Sequence, residues 1–113
     1  MITERKRRII EALRGALDYC GYDLDTVIDK KSRARIYSDL RSIIWTIYQS
    51  ETNQSFERIS QDFHWDRVTI FCAVERAKTF RQVDPNFADM YDSVYGAYLN
   101  QCSVIQEGAT VSS

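Results

Sequence analysis

The chain has a single proline, a single histidine and only four glycines in 113 residues. So little backbone punctuation argues against turn-rich sandwiches and barrels and leaves long helices as the natural reading. Alternating runs of Val, Ile and Thr are missing as well, which removes the strand signature. No apolar stretch approaches the roughly 20 residues of a membrane-crossing helix. The opening MITERKRRII lacks the apolar core of a secretion signal, so the expected location is the cytoplasm. Cys20, Cys72 and Cys102 are odd in number and share no C-x-x-C spacing with one another or with His64. They read as reduced, small apolar fillers, and no metal site is expected. One histidine, with carboxylates confined to caps and exposed faces, supplies no pairing of nucleophile and base, so neither an enzyme nor a cofactor is expected. A GxxxxGK[ST] phosphate loop is absent too, which excludes nucleotide hydrolysis of that type.

What is present is ordinary in amount and uneven in distribution. Apolar residues make up 44% and charged residues 27%, the balance of one globular domain able to bury a single core. The net charge is -1 with a pI near 5.8, so the molecule as a whole carries no electrostatic footprint for a polyanion. Yet Arg5, Lys6, Arg7 and Arg8 cluster at the start, and Lys30, Lys31, Arg33, Arg35 and Arg41 form a second basic group. Acidic Asp84, Asp89, Asp92 and Glu107 fall near the other end. The first basic run reads equally well as a solvated helix face or as a binding patch. The second, KKSRAR, sits in a connector, where cationic side chains commonly meet phosphates or a narrow minor groove.

Periodicity predicts an all-α fold, a bundle of five to six helices. Thr3 to Tyr19 carries Ile9, Ile10, Leu13, Leu17 and Cys20 on one side, with Gly21 as the stop signal. Asp23 caps a short turn through Leu24, Val27 and Ile28, and the basic connector follows as far as Ser38. A third helix then turns Leu40, Ile43, Ile44 and Ile47 inward and ends at Thr52-Asn53-Gln54. Asp84-Pro85 supplies an N-cap and a first-turn proline for a last helix with Phe87, Met90, Tyr91, Val94 and Tyr98 as its stripe. Residues 1–100 are expected to form one domain and 101–113 a flexible tail.

Between the third and last helices lies the most informative segment, SFERISQDFHWDRVTIFCAVERAKTF. Ser55 is placed as N-cap, and Phe56, Ile59 and Phe63 share a face. Asp66 caps a second helix in which Ile70, Ala73, Val74, Ala77 and Phe80 repeat at helical spacing. Only His64 and Trp65 separate Phe63 from Asp66, so the two helices must cross steeply as a helix-turn-helix. Arg67, Val68 and Thr69 then project from the second helix in the way that places side chains in a DNA major groove.

The order of these parts resembles the carboxy-terminal DNA-binding domain of the bacterial replication initiator DnaA, a helix-turn-helix domain of the TrpR-like class, over about Ile9 to Tyr98. The residues that carry the resemblance are Tyr19-Cys20-Gly21 leading into DLDTVID, the loop Lys30-Lys31-Ser32-Arg33-Ala34-Arg35, and the turn Glu51-Thr52-Asn53-Gln54-Ser55-Phe56. Phe63-His64-Trp65-Asp66-Arg67-Val68-Thr69-Ile70 and Asp84-Pro85-Asn86-Phe87 complete it. The resemblance implies a minor-groove or backbone contact for Arg33 and a groove-facing role for Asp66. This sequence departs from the family where bases would be read. Arg67 stands for its His, Val68 for its first Thr, Trp65 for the arginine before the Asp, and Gln49 for a basic residue late in the long helix. The family's ATPase module is absent.

The expected function is sequence-specific, non-enzymatic binding of double-stranded DNA, as a regulator of replication or transcription from a phage or mobile element, at the nucleoid. The candidate contacts are Lys31, Arg33, Arg35, Arg41, Ser55, Phe56, Asp66, Arg67, Val68 and Thr69. Arg76 and Lys78 are weaker candidates and read as solvated. The alternative is an interaction module that keeps the fold and binds a protein such as a host initiator through its aromatic last helix; Gln49, Glu57, Glu75 and the low pI favour it. No membrane and no small-molecule substrate is expected.

Overall fold

The computed structural model describes the chain from Thr3 to Val111, with side chains through Ser103, and it is all-α. The helices are α1 (Glu4–Tyr19), α2 (Leu24–Val27), α3 (Arg35–Thr52), α4 (Phe56–Phe63), α5 (Arg67–Val83) and α6 (Pro85–Val111), with no strand among the described residues. No helix there is long and apolar enough to cross a membrane.

Local chemistry sets most of these boundaries. Side-chain oxygens of Thr3, Asp23, Ser55 and Asp66 accept from the amides of Lys6, Thr26, Arg58 and Thr69, and Asp84 accepts from Asn86 and Phe87. Each cap satisfies a donor that the helix itself leaves unpaired. Gly21, at φ +92°, ends α1 as the sequence predicts. Tyr22 N–H donates to the Leu17 carbonyl and Gly21 N–H to that of Asp18, the paired bonds of a helix that closes in a left-handed residue. Asn53 and His64 take the same conformation after α3 and α4.

Helix α3 is the axis around which the others pack, because its apolar residues cover more than one face. Leu40, Ile43, Ile44, Trp45, Ile47 and Tyr48 are all fully buried. It lies most extensively against α5, while α1 pairs with α6. The predicted inward residues Leu13, Leu17, Ile59, Phe63, Ile70, Val74, Phe87, Tyr91, Val94 and Tyr98 all reach the core. Ile10, Cys20, Phe56, Phe80 and Met90 are half-buried at its margin.

Four expectations are revised. Helix α3 begins at Arg35, not Ser38, since nothing between Ala34 and Ser38 forbids helical backbone, so Arg35 belongs to a first turn and not to a loop. Lys6 is buried rather than solvated, for a reason given below. Cys72 is exposed, while Cys20 and Cys102 are half-buried and all three are free. The register of α5 turns Ala73 and Val74 inward and Cys72 outward. Finally, α6 continues past Gln101. A Cβ on Gly15 would lie 2.6 Å from Gln101 Oε1, so the absent side chain in α1 gives Gln101 a seat, and Gln101 and Cys102 are half-buried. The remainder of the expected tail at 112–113 lies outside the described residues.

Candidate nucleic-acid interface

The candidate face is assembled around Trp65, the residue between α4 and the cap of α5. Its indole Nε1 donates to the carbonyl of Ile28 at 2.8 Å, and its ring meets that of Trp45 edge-on with centroids 5.3 Å apart. The Arg41 guanidinium lies over the same indole at 4.9 Å and the Lys30 ammonium at 5.7 Å. Ser60 also donates its hydroxyl to the Trp65 carbonyl. One side chain therefore pins the end of α2 and the start of the basic connector to the turn of the helix-turn-helix. A cation over a part-buried indole adds roughly 0.5–2 kcal/mol to that attachment.

The connector is held but not neutralised. Among the described residues Lys30, Lys31 and Arg33 are exposed and form no ion pair, and Lys31 contributes only its backbone amide, to Asp29 Oδ1. Arg35 approaches Asp39 at 4.0 Å, a loose pair on an exposed side chain. The connector feeds directly into α3, whose N-cap is Ala34. A methyl group accepts no hydrogen bond, and the first turn of α3 holds no acidic residue. Its free amides and dipole thus add positive potential beside Arg33 and Arg35.

The amino-terminal turn of α5 is presented as predicted. Asp66, Arg67, Val68 and Thr69 are exposed. Asp66 Oδ2 accepts from the Thr69 amide at 3.1 Å, and the Thr69 hydroxyl faces the same oxygen at 3.5 Å. Arg67 forms no ion pair among the described residues. Val68 and Phe71 are 58% and 45% exposed, an apolar strip one turn long on the outer surface of α5, and Phe71 meets Phe56 edge-on at 5.1 Å. Ser55 is occupied in capping, and Phe56 stands half-buried at the start of α4.

Two candidate cations turn out to be structural ties. Arg41 Nη1 donates to the carbonyls of Val27 and Ser32 at 2.9 and 3.1 Å, closing the connector onto α3, so the expected contact with phosphate is left to its remaining nitrogens. Arg76, read from sequence as solvated, donates Nη2 to Ser38 Oγ and Ser42 Oγ at 2.8 and 3.0 Å and fastens α5 to α3. Burial, and then the charge of Arg76, lowers the Arg41 pKa, although a guanidinium so placed remains charged.

Sequence reading missed the opposite side of the helix-turn-helix. Lys6 Nζ meets Asp62 Oδ2 at 3.1 Å with both side chains buried, and the Tyr48 hydroxyl donates to the same oxygen at 2.8 Å. Burial and the bond to Asp62 push the Tyr48 pKa well up. A lysine inside the amino-terminal stripe, at i-3 from Ile9, was the only available signal. Its neighbours are also engaged, Arg7 and Arg8 with Glu4 and Arg5 with the Glu51 carbonyl. On α6, Phe87, Tyr91 and Tyr98 are buried, and among the described side chains Tyr95 and Leu99 are the exposed large apolar ones.

No family model, curated protein or solved structure matches this chain.

Proposed function

We propose that this protein binds double-stranded DNA without enzymatic action, inserting the first turn of α5 into the major groove while the connector and the start of α3 grip the backbone and adjacent minor groove. The observation that carries this reading is the attachment of the connector to Trp65. Exposed Lys30, Lys31 and Arg33, the uncapped α3 terminus and the Asp66-to-Thr69 turn are thereby held about one hub. Phosphate contacts from the first group fix register, and base contacts from the second supply sequence preference. The DnaA-like order of parts agrees with this arrangement, and its replacements predict a different site. Arg67 offers a forked donor suited to guanine, and Val68 an apolar surface suited to a thymine methyl.

Selection of bound sequences from a random duplex pool tests both parts. A defined site containing guanine beside an apolar-read position is expected, with affinity falling steeply as salt rises. The double change Arg67→His with Val68→Thr should exchange the preferred site, each altered contact being worth about 1–3 kcal/mol. Identical selections from both proteins would show that this turn does not read bases. In that event the strip of Val68, Phe71 and Phe56 favours docking onto an apolar protein surface instead.

A further inference from the structure

A groove of about 360 Å³ runs between α3 and the amino-terminal half of α5. Its size is at the lower end of small-ligand sites, which span roughly 300–1,000 Å³. The indoles of Trp45 and Trp65 line it together with Val68 and Ala73, and its polar groups are Ser38, Thr69 and the guanidinium groups of Arg41 and Arg76. No carboxylate is among its lining residues. Arg41 and Arg76 are close enough that the charge of one lowers the pKa of the other. Each spends one terminal nitrogen on the protein hydrogen bonds described above, which leaves the rest of both forks available. Two like charges beside a mostly apolar groove are the donor set for an anion with an apolar body.

We propose that this groove binds a small organic carboxylate, with the carboxylate between Arg41 and Arg76 and the apolar body against the indoles and Val68. A backbone phosphate would satisfy the charges but would bring nothing to cover the apolar lining. The ligand would touch Val68 and Thr69, so its occupancy would change DNA affinity, and DNA would change its affinity by the same factor. That coupling rests on the preceding proposal, whereas binding of the carboxylate does not.

Trp45 and Trp65 are the two tryptophans of the chain, so intrinsic fluorescence reports on the groove directly. Benzoate is titrated into the full chain without DNA, beside benzamide as a neutral isostere and inorganic phosphate as a bare anion. Cys72 also lines the groove, is exposed and makes no side-chain hydrogen bond among those of the described residues. Cys72→Glu therefore supplies a competing carboxylate without removing a tie, and Cys72→Gln is its neutral control. The expected result is saturable binding of benzoate, weakened about tenfold or more for benzamide and for Cys72→Glu, and retained by Cys72→Gln. Absence of saturation by about 10 mM benzoate, or equal binding by benzamide or by Cys72→Glu, would overturn the proposal. Phosphate matching benzoate would overturn the organic part and return the groove to the nucleic-acid backbone. Because every arm omits DNA, failure here is separable from failure of the DNA-binding reading.

Discussion

The two basic clusters look alike in sequence and do opposite things in the fold. Arg5 to Arg8 is spent internally, since Lys6 enters a buried pair, Arg7 and Arg8 share Glu4, and Arg5 reaches a carbonyl of α3. In the connector, Lys30, Lys31 and Arg33 stand exposed beside a helix start that no side chain caps. The lesson concerns charge accounting. A net charge of -1 describes neither region, because an ion matters to a partner only where the fold has left it unmatched.

The largest effect separating the regions should come from Lys6→Ala. It strands Asp62 beside Tyr48 in a buried setting, and urea unfolding should show a loss of about 3–5 kcal/mol, the cost of an uncompensated buried charge. Adding Asp62→Asn should recover part of it. A loss below about 0.5 kcal/mol would mean that Asp62 has water in place of the lysine.

Trp65→Phe tests the hub that sets the connector apart. It keeps an aromatic ring but loses the bond to the Ile28 carbonyl, at an expected cost of about 1–3 kcal/mol. Hydrogen exchange should quicken in the connector and leave α1 unaffected. Equal protection in both proteins would show that Arg41 alone holds the connector.

Alkaline titration sharpens the comparison from the amino-terminal side. Burial, and then the bond to Asp62, raises the Tyr48 pKa above its unfolded value, and burial is also the largest cause for Tyr91 and Tyr98. The unfolded chain therefore releases these protons first. Stability should be fully present below about pH 10 and fall above it by up to about 1.4 kcal/mol per pH unit for each such tyrosine. Phenolate absorbance should rise together with unfolding. Ionisation of all seven tyrosines while the helices persist would contradict this.

Arg33→Ala should have the smallest effect on the fold. Its unfolding midpoint should stay within about 0.5 kcal/mol of the parent. If the side chain meets phosphate, its loss should flatten the dependence of log affinity on log salt by about 0.9. An unchanged slope would place DNA away from the connector.

The order of the helices, the caps at Asp23, Ser55, Asp66 and Asp84, the glycine stop of α1 and the tight turn at His64 and Trp65 were legible in the sequence because they depend on interactions within a turn or two of helix, whereas the start of α3 at Arg35 and the length of α6 were not. The inward stripes were legible for the same reason, since helical spacing alone sorts side chains onto faces. The exposed first turn of α5 came with them, as the Asp66 carboxylate accepts from an amide only three residues ahead. What the tertiary structure decided was the partner of each charge and polar tip. Lys6 finding Asp62, Arg76 finding Ser38 and Ser42, and Trp65 finding the Ile28 carbonyl join segments far apart in the chain. No periodicity encodes such meetings. The physical reason is that burial penalises an unmatched ion or donor heavily, so pairing is settled where helices meet, and only there is Lys6 drawn into the core while Lys30, Lys31 and Arg33 stay exposed.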